Sequence, residues 1–275
     1  MKRLIGFIFL ILLFPVACTQ ETRTSNTIVA GQTDNEVHDV THSSHNSHIV
    51  PSRKELGAIL PGLKHGLIQS PINILTKNVD HVGSRAINVN FKDEVESVEN
   101  LGNTIQLNFA EGSTITAHGK IFHFKQMHFH TPSEHVLDGM RFPMELHIVN
   151  SAVDEESGEI EFLVVSILFK MGDENKFISE FYDLIPKEAN KIHKIEPGLV
   201  RLSDLLLVTR KNESEEGLYF YKGSLTTPPY TESVNWYIDK HIYEASQEQI
   251  NNINDLQGYN AREVQDIYGR VIEGS

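Results

Sequence analysis

From Pro51 onward the chain is written mostly in period two, the repeat of an extended strand, and this limits the folds open to it. Residues 86–91 (AINVNF) and 104–109 (TIQLNF) alternate apolar with polar side chains, as strands with one buried face do. Residues 163–169 (LVVSILF) are apolar on both faces and predict a central strand covered on both sides. Helical signals are few. Ser246 and Gln249 are spaced as a capping box ahead of Ile250, Ile253 and Leu256, with Gly258 as a natural stop, and residues 175–184 predict a second short helix. No internal repeat or second shift of composition follows, so residues 51–275 are predicted to be one mainly β domain with peripheral helices. With 40% hydrophobic residues in 275, it has the apolar mass for a sizeable core.

The first 50 residues differ in kind. Met1-Lys2-Arg3, the apolar run from Leu4 to Leu13 and the small residues before Cys18 describe an export signal over residues 1–18, too short to be a membrane span. The only cysteine of the chain directly after Val16-Ala17 resembles a lipoprotein processing site, with Cys18 as the lipidated residue; Pro15 stands where a leucine-like residue is usual. A plain secretory signal cut nearby is the alternative. Either way the destination is the cell envelope, periplasmic or anchored to the outer membrane. Residues 19–50 hold no aromatic side chain, and such a polar stretch is expected to be a disordered tether. It carries His38, His42, His45 and His48, which read either as a polar linker rich in histidine or as a loose chelator of divalent metal.

Charge and cysteine count narrow the chemistry. A net charge of −13 offers phosphates no broad basic face, so nucleic acid is not an expected partner, and a membrane is one only through a lipid on Cys18. A single cysteine excludes an intramolecular disulfide and a cysteine-built zinc cage; imidazoles and carboxylates remain as metal ligands.

Two strands carry such ligands. Along residues 122–130 (FHFKQMHFH), alternation places Gln126, His128 and His130 on one face and Met127 and Phe129 on the other. Along residues 144–149 (MELHIV), Glu145 and His147 share a face opposite Met144, Leu146 and Ile148. Were these strands antiparallel neighbours, three imidazoles would converge, and three neutral histidines with one open position suit a catalytic zinc. Gln126 and Glu145, each two residues from a histidine on the same face, are placed to accept the ligands' other N–H. A pair of buried, hydrogen-bonded core histidines is the bland alternative, and the added Glu-x-His on a second strand weighs against it.

Six segments, Gln69-Ser-Pro-Ile-Asn-Ile74, Gln126-Met-His-Phe-His130, Ser133-Glu-His135, Glu145-Leu-His-Ile-Val149, Gly223-Ser-Leu-Thr-Thr-Pro-Pro229 and Asn260-Ala-Arg262, resemble the α-class carbonic anhydrases in order and approximate spacing. The match runs from about Gly66 to Arg270. The resemblance implies a central, mostly antiparallel twisted β-sheet of about ten strands and reversible hydration of carbon dioxide to bicarbonate and a proton by zinc-bound hydroxide. It implies Zn(2+) on His128, His130 and His147, with Gln126 and Glu145 behind the ligands and Asn260 offering a backbone acceptor to the third imidazole. Thr226 would hydrogen-bond the nucleophile and donate to a buried carboxylate, Glu134, in a motif to which His135 belongs. Thr227 would bind bicarbonate, and Val149, Val164, Leu225, Val234 and Trp236 would form the apolar wall for carbon dioxide. Asn100, Asn103 and Gln106 would line the cleft wall, and cis bonds are implied at Ser70-Pro71 and Pro228-Pro229.

The chain departs from the family pattern in several places. Fast relatives carry a proton-relaying histidine where Asn103 stands, and asparagine cannot titrate. Turnover is then expected to depend on buffer, or on His65 or His118. The usual aromatic opening is absent from residues 51–67, and Tyr230 stands where exported relatives carry half of a disulfide. A competing fit is the cupin metal motif, with Glu134 as a fourth ligand. It needs an asparagine four residues after its last histidine, whereas Asn150 follows His147 by three. A catalytically silent binding relative is the remaining alternative, and retention of the full residue set speaks against it.

Overall fold

A computed structural model of the chain describes residues 66–82, 87–90, 92, 95–155, 157–202, 205 and 217–275. The export signal, Cys18, the histidine-rich tether and His65 lie outside them.

The period-two segments form strands. In chain order these are β1 (Asn73–Ile74), β2 (Asp80–His81), β3 (Asn88–Asn90), β4 (Val95–Asn100), β5 (Ile105–Phe109), β6 (Thr114–Ala117), β7 (Lys120–His130), β8 (Val136–Leu137), β9 (Met140–Arg141), β10 (Met144–Val153), β11 (Ile160–Met171), β12 (Lys191–Lys194), β13 (Leu218–Gly223), β14 (Val234–Ala245) and β15 (Glu273–Gly274). Ten of them run in the order β12-β4-β5-β7-β10-β11-β14-β13-β15-β2, with β6 joined to β7 and β3 to β6, so one sheet holds twelve strands. Among the described residues, only β11 with β14 and β15 with β2 pair in parallel within it. The small sheet β1-β8-β9 joins β1 to β8, just past the loop that follows β7.

The expected central strand is β11, whose residues 163–169 are all buried. The two sheet faces serve different ends. Met127, Phe129, Leu146, Ile148, Val165 and Ile167 point into the larger core, while Val164, Leu168, Trp236 and Ile238 belong to a second cluster on the other face. Two helices cover the larger core. α1 (Lys176–Phe181) is capped by Asn175, whose side chain accepts from the Ile178 N–H, and a 3₁₀ turn at Tyr182–Leu184 completes the segment. α2 (Gln247–Gln257) begins at Ser246 with both hydrogen bonds of the capping box and ends at Gly258, whose φ of 71° favours glycine.

β7 does not keep strict alternation. Its register against β10 shifts between Val149 and Asn150, so that Val149 faces Gln126 but Asn150 faces Phe124. This bulge turns Phe122 and Phe124 inward to the larger core, although they share parity with His128. Beyond it, Gln126, His128 and His130 stay on the opposite face.

Candidate metal centre

β7 and β10 are antiparallel neighbours, with His147 directly opposite His128 and Glu145 opposite His130. The three imidazoles therefore meet, with ring centroids 4.9 Å apart for His128 and His130, 5.3 Å for His128 and His147, and 4.5 Å for His130 and His147. One nitrogen from each lies within 4.8 Å of the others.

Their partners fix which nitrogen that is. His128 Nδ1 lies 2.9 Å from Gln126 Oε1, and His130 Nδ1 lies 3.4 Å from the carbonyl of Asn260. His147 is turned the other way, with Nε2 2.7 Å from Glu145 Oε1. These oxygens accept, so each named nitrogen carries the proton. The lone pairs left over are on Nε2 of His128, Nε2 of His130 and Nδ1 of His147. His130 Nε2 is buried and has no hydrogen-bond partner. A buried acceptor facing two others is costly unless a cation sits among them, so the donor set fits a metal ion that takes nitrogen ligands. Burial, then the neighbouring imidazoles, hold His128 well below the ordinary histidine range, and burial lowers His130. Both are thus neutral, as ligands must be. Burial works against charge on His147 too, but the charge and hydrogen bond of Glu145 override it and shift His147 upward.

Glu145 is the centre of the support. Its Oε2 accepts the backbone N–H of Glu134 at 2.7 Å and of His135 at 2.8 Å. Its Oε1 meets His135 Nδ1 at 2.6 Å, His147 Nε2 at 2.7 Å and the Ser166 hydroxyl at 2.6 Å. Burial alone would raise this carboxyl, yet the facing histidines leave it well below the ordinary carboxylate range. His135 thus aims its Nδ1 across to β10 and holds Glu145, whose Oε2 in turn holds the backbone of Glu134 and His135. Its Nε2 continues to the Tyr221 hydroxyl at 2.7 Å, which donates to Ser70 Oγ at 2.9 Å.

Glu134 is buried, and its Oε1 accepts the backbone N–H of Arg262 at 2.8 Å. Its Oε2 is buried without a hydrogen-bond partner, 3.8 Å from His147 Nδ1, so the expected Thr226 bond is not formed in this conformation. Thr226 is buried and Thr227 exposed, on the loop after β13. Val164, Val234 and Trp236 are buried in the second cluster, with Val149 and Leu225 packed against it. The Trp236 ring lies 4.8 Å from that of His147, which places this apolar surface beside the imidazoles.

Of the residues expected on a cleft wall, Gln106 stands opposite His128 across β5 and β7 and donates to Asn108 Oδ1 at 2.7 Å. Asn103 is exposed, and its carbonyl accepts from the Asn260 side chain at 2.9 Å. Asn100 is buried and shapes the turn, donating to the Pro186 carbonyl and accepting from the Gly102 N–H, both at 2.8 Å. His118 lies in the turn between β6 and β7, before the end of β7 opposite the one that carries His128 and His130, and its Nε2 meets the Tyr237 hydroxyl at 2.8 Å.

The implied cis bonds are present at Ser70-Pro71 and Pro228-Pro229, and Thr131-Pro132 is a third that the sequence did not suggest. Ser166, Tyr221, Ser70 and Arg262 were also missed as supports. Ser166 left a trace as the lone hydroxyl within an apolar run.

The family model for eukaryotic-type carbonic anhydrases matches residues 60–275. A carbonic anhydrase of Neisseria gonorrhoeae is 37% identical over 213 residues, covering 75% of this chain and 77% of that protein. One from Pectobacterium carotovorum is 32% identical, covering 75% and 80%. Among solved structures, a hyperthermostable carbonic anhydrase from a hydrothermal vent chimney superimposes with a TM-score of 0.67 at 34% identity, over 76% of this chain and 88% of that one. The Thermovibrio ammonificans α-carbonic anhydrase, solved with the inhibitor sulfanilamide, gives 0.67 at 30% identity, over 80% and 94%. The chain belongs to the eukaryotic-type, or α, carbonic anhydrases. It is thereby an enzyme of carbon dioxide hydration, and the single broad sheet excludes the cupin barrel.

Proposed function

We propose that residues 51–275 form a zinc-dependent catalyst of reversible carbon dioxide hydration, exported by residues 1–18, carried on the tether of residues 19–50 and, where Cys18 is lipidated, anchored to a membrane. The observation that carries the zinc assignment is the convergence of three imidazole lone pairs, one of them the buried, unpartnered Nε2 of His130. Zinc on His128, His130 and His147 supplies, when bound, the charge that makes a water acidic near neutral pH; for carbonic anhydrases as a class that pKa is about 7.

The remaining work falls to the chain. Gln126, Glu145 and the Asn260 carbonyl keep the protons on the outward nitrogens, so the ligand lone pairs stay available. Glu134 Oε2 has no hydrogen-bond donor in the structure, and in this reading a rotation of the Thr226 hydroxyl toward it would supply one. A threonine committed to Glu134 in this way can only accept from the attacking oxygen, which turns that oxygen's lone pair toward carbon. Val149, Val164, Leu225, Val234 and Trp236 present an apolar surface to carbon dioxide, and Thr227 is placed to hydrogen-bond the bicarbonate product. With asparagine at 103, proton export leans on buffer: transfer from an acid of pKa about 7 to water alone is limited to about 10³ per second.

Stopped-flow hydration of carbon dioxide by the purified chain, with metal analysis and titration by a sulfonamide, tests this. Activity that follows zinc content and is blocked by sulfonamide is expected. Zinc-free activity, or none in zinc-loaded protein, overturns the reading.

A further inference from the structure

Residues 224–231 leave β13 after Gly223 and reach β14 at Val234 without regular secondary structure, and they carry Thr226 and Thr227. Within this loop the Leu225 N–H donates to the Thr231 carbonyl at 3.0 Å and the Tyr230 N–H to the Thr227 carbonyl at 2.9 Å. Tyr230 itself has φ of 61°, a left-handed conformation that disfavours any side chain with a Cβ. Such a residue persists where its surroundings over-determine it.

Those surroundings centre on Arg262. Its guanidinium carbon lies 3.8 Å from the centroid of the Tyr230 ring. The same residue donates its backbone N–H to Glu134 Oε1 at 2.8 Å, and Nη1 to the Ser70 carbonyl at 2.6 Å and to Gln69 Oε1 at 3.0 Å. Gln69 closes the ring by donating Nε2 to the Tyr230 carbonyl at 3.2 Å and to Glu232 Oε1 at 2.8 Å. One arginine thus fixes the carboxylate on one side and stacks on the threonine loop on the other.

We propose that the Tyr230–Arg262 stack is a clamp that holds the 224–231 loop in register with Glu134, which makes Tyr230 a positioning residue for Thr226. This rests on the roles proposed above for Thr226 and Glu134. The planar guanidinium suits a ring face better than an ammonium does, and phenylalanine presents the same face as tyrosine.

The test compares the full wild-type chain with Tyr230→Phe, Tyr230→Leu and Arg262→Lys by hydrogen–deuterium exchange of the 224–231 segment, zinc content and hydration kinetics. Tyr230→Leu is expected to exchange about 5- to 30-fold faster there, the worth of a partly buried cation–π contact, with zinc content unchanged. Its kcat should fall with KM unchanged, since the loop acts on the transition state more than on binding. Arg262→Lys should loosen the loop likewise, and Tyr230→Phe should match wild type. Wild-type exchange in Tyr230→Leu, or a Tyr230→Phe variant as impaired as Tyr230→Leu, overturns the clamp. A wild type without zinc-dependent hydration would sink the functional reading alone, because the exchange arm decides the clamp without it.

Discussion

Replacing Glu145 by glutamine changes one oxygen to NH₂ with almost no change of volume, yet the structure leaves the amide no comfortable orientation. With its nitrogen at the Oε2 position, it would face the backbone N–H groups of Glu134 and His135, donors that can neither rotate nor change tautomer. With its nitrogen at the Oε1 position, it would face His135 Nδ1, His147 Nε2 and the Ser166 hydroxyl, and these can adapt. The second orientation should win, and His147 must then offer Nε2 as an acceptor. Its proton moves to Nδ1, the nitrogen turned toward the other two imidazoles. Glu145→Gln should therefore fold but bind zinc about 10- to 100-fold more weakly, the range for lost support behind a metal ligand, or about 1.4–2.7 kcal/mol. Weakened charge-assisted bonds should also lower the stability of the metal-free protein by about 2–4 kcal/mol. Competition with a chromophoric chelator measures the first effect and urea unfolding after metal removal the second. A folded Glu145→Gln protein with zinc affinity within twofold of wild type would refute the tautomer argument.

Other outcomes follow from features already described. Asn103→His should raise the maximal hydration rate in weak buffer and leave it little changed in concentrated imidazole; no change in either would mean that another group already exports the proton. Leu146→Ala opens a hole in the fully buried larger core and should cost about 2–5 kcal/mol in urea unfolding. Ser246→Ala removes the capping box of α2 and should cost about 1 kcal/mol, read as a lower thermal midpoint. Glu161 is pushed up by partial burial, but hydrogen bonds from Lys120 at 2.6 Å and from Asn235 at 2.6 Å leave its pKa below the ordinary value. A depressed carboxyl stabilises the fold above its unfolded pKa and stops doing so as pH falls through the folded one. Glu161→Gln should therefore cost less than about 1 kcal/mol at pH 7, with the difference from wild type starting to shrink as pH falls through about 4.3 and gone once the folded carboxyl is protonated.

The ligand face could be read from the sequence because it depends only on alternation along two strands, and alternation is local. The capping box of α2 was legible for the same reason. The bulge at Val149 and Asn150 was not, since an extra residue in β7 is defined by its partner strand. Strict parity would have put Phe122 and Phe124 beside the histidines. The chain from His135 through Tyr221 to Ser70 was equally hidden, its hydroxyl-to-hydroxyl link spanning 151 positions in sequence. Motif order drew attention to His135 without naming the carboxylate it meets, because which of two nearby glutamates an imidazole reaches is set by side-chain direction. Net charge weighed against nucleic acid as a partner, and the single cysteine narrowed the metal ligands to imidazoles and carboxylates without saying which.

Among the described residues, the ten-strand path through the sheet begins and ends in blunt strands. At one end β12 is a four-residue strand, Lys-Ile-His-Lys, exposed along its length with a lysine at each terminus. At the other, β2 is a two-residue strand opening on Asp80. Unpaired backbone at a sheet margin is a template for joining other molecules edge to edge, and short, charged margins deny the template its length and its neutrality. A sheet of this width can therefore accumulate at high local density, as on a crowded surface, with little tendency to grow by strand addition into aggregates.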